Sequence, residues 1–248
     1  SDHGSAQPGR AVQASTPPDT HSVPAPDTEF LAIVAHELKG PLTNIGGYTQ
    51  LLLRQPKLPE ERRTAYLQVI LDETRRLSRL VNDLVDATQF EAGRAEIAPG
   101  PAKLDAIIAA AVERARRVVP EGQIEIDQAD VPEVYWDSLR IEDALFHLIT
   151  NSWRHAATDS PTRLNVQKQD GRVRIAVIDH GAGIPEYVET IIHTPFFRVP
   201  RTAGGRKLKG LGLFLTRSIV EAHGGVLRLE PNPDGGTIAE IELPLRAG

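Results

Sequence analysis

The chain of 248 residues contains no cysteine and no methionine. Without cysteine it can form neither disulfide bonds nor cysteine-based metal sites, and its histidines lack the compact spacing of metal ligands. No apolar run approaches the roughly 20 residues that span a bilayer, and no secretory signal pattern is present. Because a starting methionine is absent too, we expect a fragment or processed product without membrane contact, located in the cytoplasm, with any sensory or membrane region upstream.

An excess of positive charge is also missing. The formal net charge is −5, with 28 lysines and arginines against 33 aspartates and glutamates. This balance gives no overall attraction to nucleic acid or anionic membranes, so we expect no nucleic-acid partner. Residues 1–28 have almost no bulky apolar side chains and are rich in Pro, Ser, Ala, Thr and Asp. Such a segment cannot offset the entropy of ordering, so we predict a disordered linker or an expression remnant there.

Apolar residues from 29 to 54 recur at alternating steps of three and four, which predicts a helix in a coiled-coil-like bundle. The seam comprises Leu31, Val34, Leu38, Pro41, Ile45, Tyr48 and Leu52. His36 lies off this seam on the outward side, where an imidazole can act as a nucleophile. Glu37 can accept a proton from one ring nitrogen, and Pro41 frees the carbonyl of Glu37 and so bends or loosens the helix. His36 and Glu37 are therefore candidate catalytic residues, although most helical histidines are plain surface or core residues.

A second helix is predicted after Pro59, because the three-four pattern resumes from Leu67 to Thr88. Proline followed by two glutamates suits the first turn of a helix. Residues 29–93 should therefore form a helical hairpin. Since such a hairpin has too little core to be stable alone, we expect two copies to form a homodimeric four-helix bundle. The alternative is that the helix pair packs on the rest of its own chain.

The pattern changes after residues 94–103, whose glycines and prolines predict a connector between domains. Residues 104–248 alternate between helical and strand patterns, and the turn Asp170-Gly171 predicts a β-hairpin. Helices are predicted at 104–118, 138–157 and 212–222, and strands at 123–127, near 134, and at 163–169, 172–178, 226–230 and 237–243. We predict an α/β sandwich with helices on one face of a mixed sheet.

Two glycine clusters in this second region are candidate ligand-binding sites. The first follows a predicted strand and contains Asp179, Gly181, Gly183 and Ile184. Its glycines let the backbone approach a flat ligand while the carboxylate accepts from an amino group, although Asp-x-Gly-x-Gly is also a common turn. The second cluster precedes a helix, where backbone donors and the helix dipole can hold phosphates, or it is simply a flexible loop before the helix. It comprises Gly204, Gly205, Gly210, Leu211, Gly212 and Leu213, and Lys209 is one of the residues that make the same loop cationic.

The helix predicted at 138–157 carries Asn151 on an otherwise apolar face. Its side-chain carbonyl oxygen is suited to coordinate Mg²⁺, although an isolated asparagine is more often a buried hydrogen-bonding residue. Arg154 and His155 follow within one helical turn and could contact phosphate. This helix is therefore a third candidate part of a nucleotide site.

The segment His36-Glu-Leu-Lys-Gly-Pro-Leu-Thr43 resembles the phosphoacceptor box of sensor histidine kinases of two-component systems. The order of the remaining motifs across residues 29–244 resembles the same family: an asparagine box at 147–155, glycine boxes at 179–183 and 210–213, and a phenylalanine box at 195–198. The resemblance implies a homodimeric kinase core made of a dimerisation and phosphoacceptor hairpin and an ATP-binding domain similar to that of gyrase and the heat-shock chaperone ATPases.

The resemblance also implies a role for individual residues. His36 would attack the γ-phosphate of ATP with Glu37 as base or orienter, and the phosphohistidine would pass its phosphoryl group to an aspartate of a response regulator receiver domain. Asp179 would accept from the adenine amino group, Asn151 would hold Mg²⁺, and residues 186–209 would act as a lid over ATP. The other implied nucleotide-binding residues are Arg154, His155, Gly181, Gly183, Ile184, Lys209, Gly210, Leu211, Gly212, Leu213 and Thr237.

The chain departs from the family pattern at His147, Arg154, Leu208 and Gly40, and two of these departures bear on nucleotide binding. His147 stands where the family often has Asn, and Leu208 stands where it often has Gly, which alters one potential metal ligand and one flexible lid position. Two alternatives remain beside the kinase: a kinase-like signalling scaffold that has lost ATP turnover, and an ATPase of the same superfold that acts mechanically or on serine. Binding of nucleotide with Mg²⁺ discriminates the kinase from the scaffold, and the His36-Glu37 pair argues against the third.

Overall fold

The computed structural model describes residues 28–131, 133–155, 160–184 and 210–246. Two long helices come first, α1 at Thr28–Arg54 and α2 at Glu60–Glu91. Pro59 precedes α2 in an extended conformation. Two glutamates occupy the first turn of α2, where the positive end of the helix dipole stabilises their negative charge. The α1 helix continues through Pro41 without a break. The predicted helical hairpin is confirmed.

Contacts between the two helices fix their antiparallel alignment. The amide of Asn44 donates to Glu73 at 2.7 Å, and the rings of Tyr48 and Tyr66 lie 5.2 Å apart. Val34, Leu38, Ile45 and the other described seam residues of α1 are part-buried, and Pro41 is buried. The predicted α1 seam therefore faces its partner helix.

On α2 only part of the predicted seam is covered within the chain. Leu67 and Val81, two predicted seam residues, are 51% and 44% exposed. Together with Leu71 and Val85 they form an exposed apolar stripe that continues the three-four spacing. The predicted α2 pattern is therefore covered only in part within one chain: Ile70, Leu77 and Leu84 are part-buried, while Leu67 and Val81 remain in this uncovered stripe.

The rest of the chain forms one α/β domain. Its helices are α3 at Leu104–Arg116, α4 at Ser138–His155 and α5 at Gly210–Ala222. Its strands are β1 at Gly100–Ala102, β2 at Ile124–Gln128, β3 at Val134–Trp136, β4 at Thr162–Gln169, β5 at Arg172–Ile178, β6 at Val226–Pro231 and β7 at Thr237–Pro244. Each predicted helix and strand in this region is present, with ends displaced by one or two residues.

Five strands form a mixed sheet in the order β2-β4-β5-β7-β6. The β2 and β4 strands pair in parallel, and the other neighbours pair antiparallel. Val173, Ile175 and Val177 point from β5 into the core beneath the helices, while Arg172 and Arg174 alternate with them and bind Glu242 on the other face. This alternation produces the predicted sheet with helices on one face.

One element was not predicted. The short β1 strand lies within the segment interpreted as a connector and pairs antiparallel with β3. Its three residues, Gly-Pro-Ala, show no apolar alternation, so only the tertiary pairing defines the strand.

The α2 helix also packs against the α/β domain. Ala87 is fully buried with Phe214 and Leu215 of α5, and Val34 of α1 packs against the same cluster. Packing of the helix pair on its own chain, the alternative to a two-chain bundle, is therefore realised at this end of the hairpin. Within the part of the chain that is described, no helix has the length and apolar character needed to cross a membrane.

Candidate functional site

Asp179, the first residue after β5, is the centre of the candidate ligand pocket. Its side chain is 8% exposed, and Oδ1 accepts hydrogen bonds from the backbone N–H groups of Gly181 at 2.8 Å and Thr237 at 3.2 Å. The backbone of Asp179 is bonded as well, since its N–H donates to the carbonyl of Thr237 at 2.9 Å. The sheet register thus brings the first glycine cluster and the start of β7 together around one carboxylate.

Glycine is required where the backbone segments of this pocket meet. A Cβ on Gly236 would lie 2.1 Å from the carbonyl oxygen of Asp179, and its φ is +98°. Gly183 has φ +73°, and a Cβ there would lie 3.3 Å from the carbonyl oxygen of Gly236. Both positions favour glycine because of conformation, and Gly236 also because of space. The candidate pocket is therefore bordered by two closely apposed backbone segments.

Sequence reasoning did not assign a role to Asn232. Its amide donates to the carbonyl oxygen of Asp179 at 3.0 Å, and its own N–H donates to the carbonyl of Gly236 at 3.0 Å. Asn232 therefore fixes both sides of the pocket. The sequence signal was the turn Asn232-Pro-Asp-Gly-Gly236, which joins two strands.

The second half of the candidate site is built by α4 and α5. Asn151 is half-buried on α4, one helical turn after His147. His147 is 8% exposed, and its Nδ1 would lie 3.0 Å from a Cβ on Gly212, so the first turn of α5 rests directly on this imidazole. Thr216 donates to the carbonyl of Gly212 at 2.8 Å. The asparagine box and the second glycine box are therefore adjacent.

His147 is buried next to an acidic residue of the hairpin. Its Nε2 lies 3.7 Å from Oδ1 of Asp83, which belongs to α2 of the hairpin. Burial lowers the pKa of His147. The charge of Asp83 opposes this shift, whereas the charges of Arg114 and Arg154 add to it. Burial likewise raises the pKa of Asp83 against the opposing effect of His147. Both shifts favour the uncharged forms, so His147 is a neutral imidazole at neutral pH.

The structure describes most of the predicted site residues. Ile184 packs against the main core, Leu213 is buried in it, and Leu211 packs against the cluster of Ala87. Arg154 is exposed at the end of α4. Lys209, the phenylalanine box and the predicted lid at 186–209 lie outside the described residues. For His36, His155 and Gly210 the structure describes the backbone, which is helical in each case.

The donor chemistry fits a nucleotide with its usual cation. Within residues 28–131, 133–155, 160–184 and 210–246, no group of three acidic or histidine side chains could hold a metal ion by itself. Mg²⁺ commonly uses one or two protein oxygens and completes its shell with water and substrate phosphates. The single amide oxygen of Asn151 is compatible with that kind of binding.

Both the hairpin and the α/β domain match known protein families. Residues 27–93 match the His Kinase A (phospho-acceptor) domain, and residues 136–247 match the histidine kinase-, DNA gyrase B-, and HSP90-like ATPase. The alginate biosynthesis sensor protein KinB of Pseudomonas aeruginosa is 31% identical over 225 residues, which cover 88% of this chain and 37% of KinB. The chain thus spans well under half of that relative.

Solved structures agree with this fold. The Acinetobacter baumannii histidine kinase AdeS has a TM-score of 0.65 at 22% identity and covers 85% of this chain and 98% of its own. Histidine kinase ThkA, solved in complex with response regulator protein TrrA, has a TM-score of 0.62 at 25% identity and covers 88% of this chain and 61% of its own.

A phosphoacceptor-type hairpin followed by an ATPase domain defines the catalytic core of a protein kinase of the histidine type. The chain belongs to the sensor histidine kinases. The predicted resemblance is confirmed at the level of family and fold.

Proposed function

We propose that this chain transfers the γ-phosphoryl group of ATP to His36 and then to an aspartate of a response regulator. The observation that carries the proposal is the combination, in one chain, of the Asp179–Gly236 pocket with a packed hairpin that bears His36. The carboxylate of Asp179 is fixed by two backbone donors, so it is oriented before a base binds. This arrangement suits recognition of the adenine amino group.

Gly181, Gly183 and Thr237 would shape the walls of the base site, and Ile184 would close its apolar side. Asn151, Arg154 and His155 would face the phosphates from α4, while Lys209, Gly210, Leu211, Gly212 and Leu213 would approach them from the start of α5. Asn151 is the residue that would hold Mg²⁺, which when bound would neutralise charge on the phosphates. The N-terminus of α5 adds backbone donors of the same kind.

The chemical step is an in-line displacement. A ring nitrogen of His36 attacks the γ-phosphorus, the bond from that phosphorus to the bridging oxygen breaks, and ADP leaves with the electron pair. Glu37 takes or orients the ring proton. Catalysis then consists mainly of positioning and charge neutralisation, which the fixed pocket and the helices supply.

The exposed apolar stripe on the hairpin supports a homodimer. Leu67, Leu71, Val81 and Val85 on α2 are exposed, and so are Leu42 and Leu53 on α1, at 54% and 76%. A second copy would cover this stripe and form a four-helix bundle. ThkA was solved with a response regulator, and we propose a receiver domain as the partner of this chain as well.

The test is transfer of labelled γ-phosphate from Mg²⁺-ATP to the purified chain, beside the variant His36→Gln. We expect a label that is stable to alkali, labile to acid and lost in the variant. Bound ATP without any label would support the scaffold alternative. A chain that binds no ATP would overturn the proposed site.

A further inference from the structure

The α2 and α4 helices meet along residues spaced by seven positions. Arg140, His147 and Arg154 share one face of α4, because seven residues are nearly two full turns. Arg140 binds Asp86 at 3.0 Å, and His147 lies 3.7 Å from Asp83. Later residues of α4 thus contact earlier residues of α2, so the two helices are antiparallel.

Continuing the same alignment brings Arg154 to Arg79 and Arg76, one and two turns before Asp83 on α2. Arg140 meets Asp86 at the first contact and His147 meets Asp83 at the second. At the third, Arg154 meets the guanidinium groups of Arg79 and Arg76. Arg76 contacts Glu73 of its own helix at 3.5 Å. Burial and then the neighbouring Arg76 and Arg79 lower the pKa of Arg154, although part of its side chain reaches solvent.

Arg79 shows the same effect. Burial lowers its pKa, Asp83 opposes that change, and Arg114 and Arg76 add to it. Arg114 has its own acidic partners, since it binds Asp143 and lies 3.5 Å from Glu142. Arg76, Arg79 and Arg154 therefore form a cationic cleft between the hairpin and the ATPase domain, with Asp83 and Glu73 as its nearest acids.

Contacts between α1 and α2 show how far this cleft lies from His36 along the hairpin. Asn44 binds Glu73, Tyr48 lies against Tyr66, and Val34 packs on the cluster of Ala87. Interpolation along these antiparallel contacts places Arg79 and Arg76 level with residues 39–42 of α1. That segment follows His36 by at most about 9 Å along the helix axis, at roughly 1.5 Å per residue.

We propose that Arg76 and Arg79 of the hairpin bind the terminal phosphates of the nucleotide together with Arg154, so that the hairpin completes the nucleotide site. The inference rests on the proposed function, which puts the base at Asp179 and the phosphates near Asn151, one turn before Arg154. Planar guanidinium groups bind phosphate oxygens bidentately, and a polyphosphate relieves their mutual repulsion. The cleft thereby holds the transferred phosphoryl group within about two helical turns of the phosphoacceptor histidine.

The experiment measures the affinity of the whole chain for ATP, ADP and AMP by calorimetry. Arg79→Gln and Arg76→Gln are compared with Arg63→Gln, an exposed arginine on the same helix but far from the cleft. We expect each cleft variant to bind ATP about tenfold more weakly, the loss of one charge-assisted hydrogen bond, with unchanged AMP affinity. Arg63→Gln should match the wild type, and Arg79→Lys should recover part of the loss.

Unchanged ATP affinity in both cleft variants would overturn the inference while leaving the proposed function intact. An equal loss for ATP and AMP would also overturn it, because the arginines would then act on folding or docking. If the wild-type chain binds no nucleotide, the proposed function itself fails and the inference fails with it. Labelling of His36 in the wild type separates these two failures.

Discussion

The Nε2 atom of His223 accepts a hydrogen bond from the backbone N–H of Asp137 at 3.0 Å. Its Nδ1 lies 2.7 Å from the carbonyl oxygen of Ile219, so Nδ1 carries the proton and the ring is neutral. Asp137 in turn accepts from the N–H of Arg140 at 3.2 Å, which caps the start of α4. A fully buried imidazole therefore ties the end of α5 to the start of the helix that carries Asn151.

The first prediction concerns pH. Burial lowers the pKa of His223, although its bond to Ile219 opposes this, whereas in the unfolded chain the ring has its ordinary pKa near 6.5. Below that pH the unfolded state binds more protons, so the stabilisation is complete above about pH 6.5 and is lost as the pH falls. We expect the thermal midpoint to decrease between pH 7.5 and 5.5, and to decrease less steeply in His223→Gln. The buried His147 adds a residual slope of the same sign, and identical slopes in the two proteins would contradict the prediction.

The second prediction compares two adjacent glycines. Gly235→Ala introduces a strained φ of +91° into open space, while Gly236→Ala also drives a Cβ to 2.1 Å from the carbonyl of Asp179. We expect the first variant to cost about 1–2 kcal/mol in unfolding free energy and the second clearly more, with loss of ATP binding. Urea unfolding and ATP titration of both variants test this. Equal effects at the two positions would mean that close packing at Asp179 is unimportant.

The third prediction tests the exposed stripe of the hairpin. Leu71→Glu places a charge within the surface that we assign to the second copy, so we expect a dimeric wild type and a monomeric variant in sedimentation velocity. Leu139→Glu is the matched control, because Leu139 is an exposed apolar residue of the α/β domain, 71% exposed. A wild type that stays monomeric at micromolar concentration, or a Leu71→Glu protein that still dimerises, would exclude this stripe as the dimer surface.

The fourth prediction is a double-mutant cycle between Asp86 and Arg140. These side chains are 30% and 23% exposed and bridge the hairpin and the ATPase domain. We expect Asp86→Asn and Arg140→Gln to show a coupling free energy of about 1 kcal/mol in chemical unfolding. The pair Asp72 and Arg75, 59% and 61% exposed on one helix, should couple close to zero. If the two cycles give the same value, the contact between the domains contributes nothing measurable.

Local sequence patterns predicted much of this fold, because burial of one face leaves a regular spacing of apolar residues. The β5 strand was found because Val173, Ile175 and Val177 alternate with polar residues, and a half-buried strand leaves that alternation in the sequence. The β1 strand was missed because Gly-Pro-Ala carries no such pattern and exists only through its pairing with β3. On α2 the apolar period was visible, but it could not reveal which part of the apolar face is covered within one chain.

The candidate site was likewise only partly predictable from the sequence. Asp179 and its glycines lie close together in the sequence, so their chemistry was readable as a motif. The approach of Asp83 to His147, and of Arg76 and Arg79 to Arg154, joins helices separated by more than sixty positions. Nothing local specifies such contacts, since they depend on how α2 docks against α4 and α5. The structure was needed to show that the hairpin reaches the nucleotide half of the molecule.

The sheet order has a consequence for synthesis on the ribosome. The β7 strand follows all other strands in the chain, yet it lies between β5 and β6 in the sheet. While the ribosome makes α3, α4 and the earlier strands, β5 has only one of its two neighbours and Asp179 lacks the N–H of Thr237. The catalytic half can therefore complete its fold only after β7 emerges. A nascent chain stalled before Thr237 would carry a finished hairpin beside an unfinished, nucleotide-incompetent sheet.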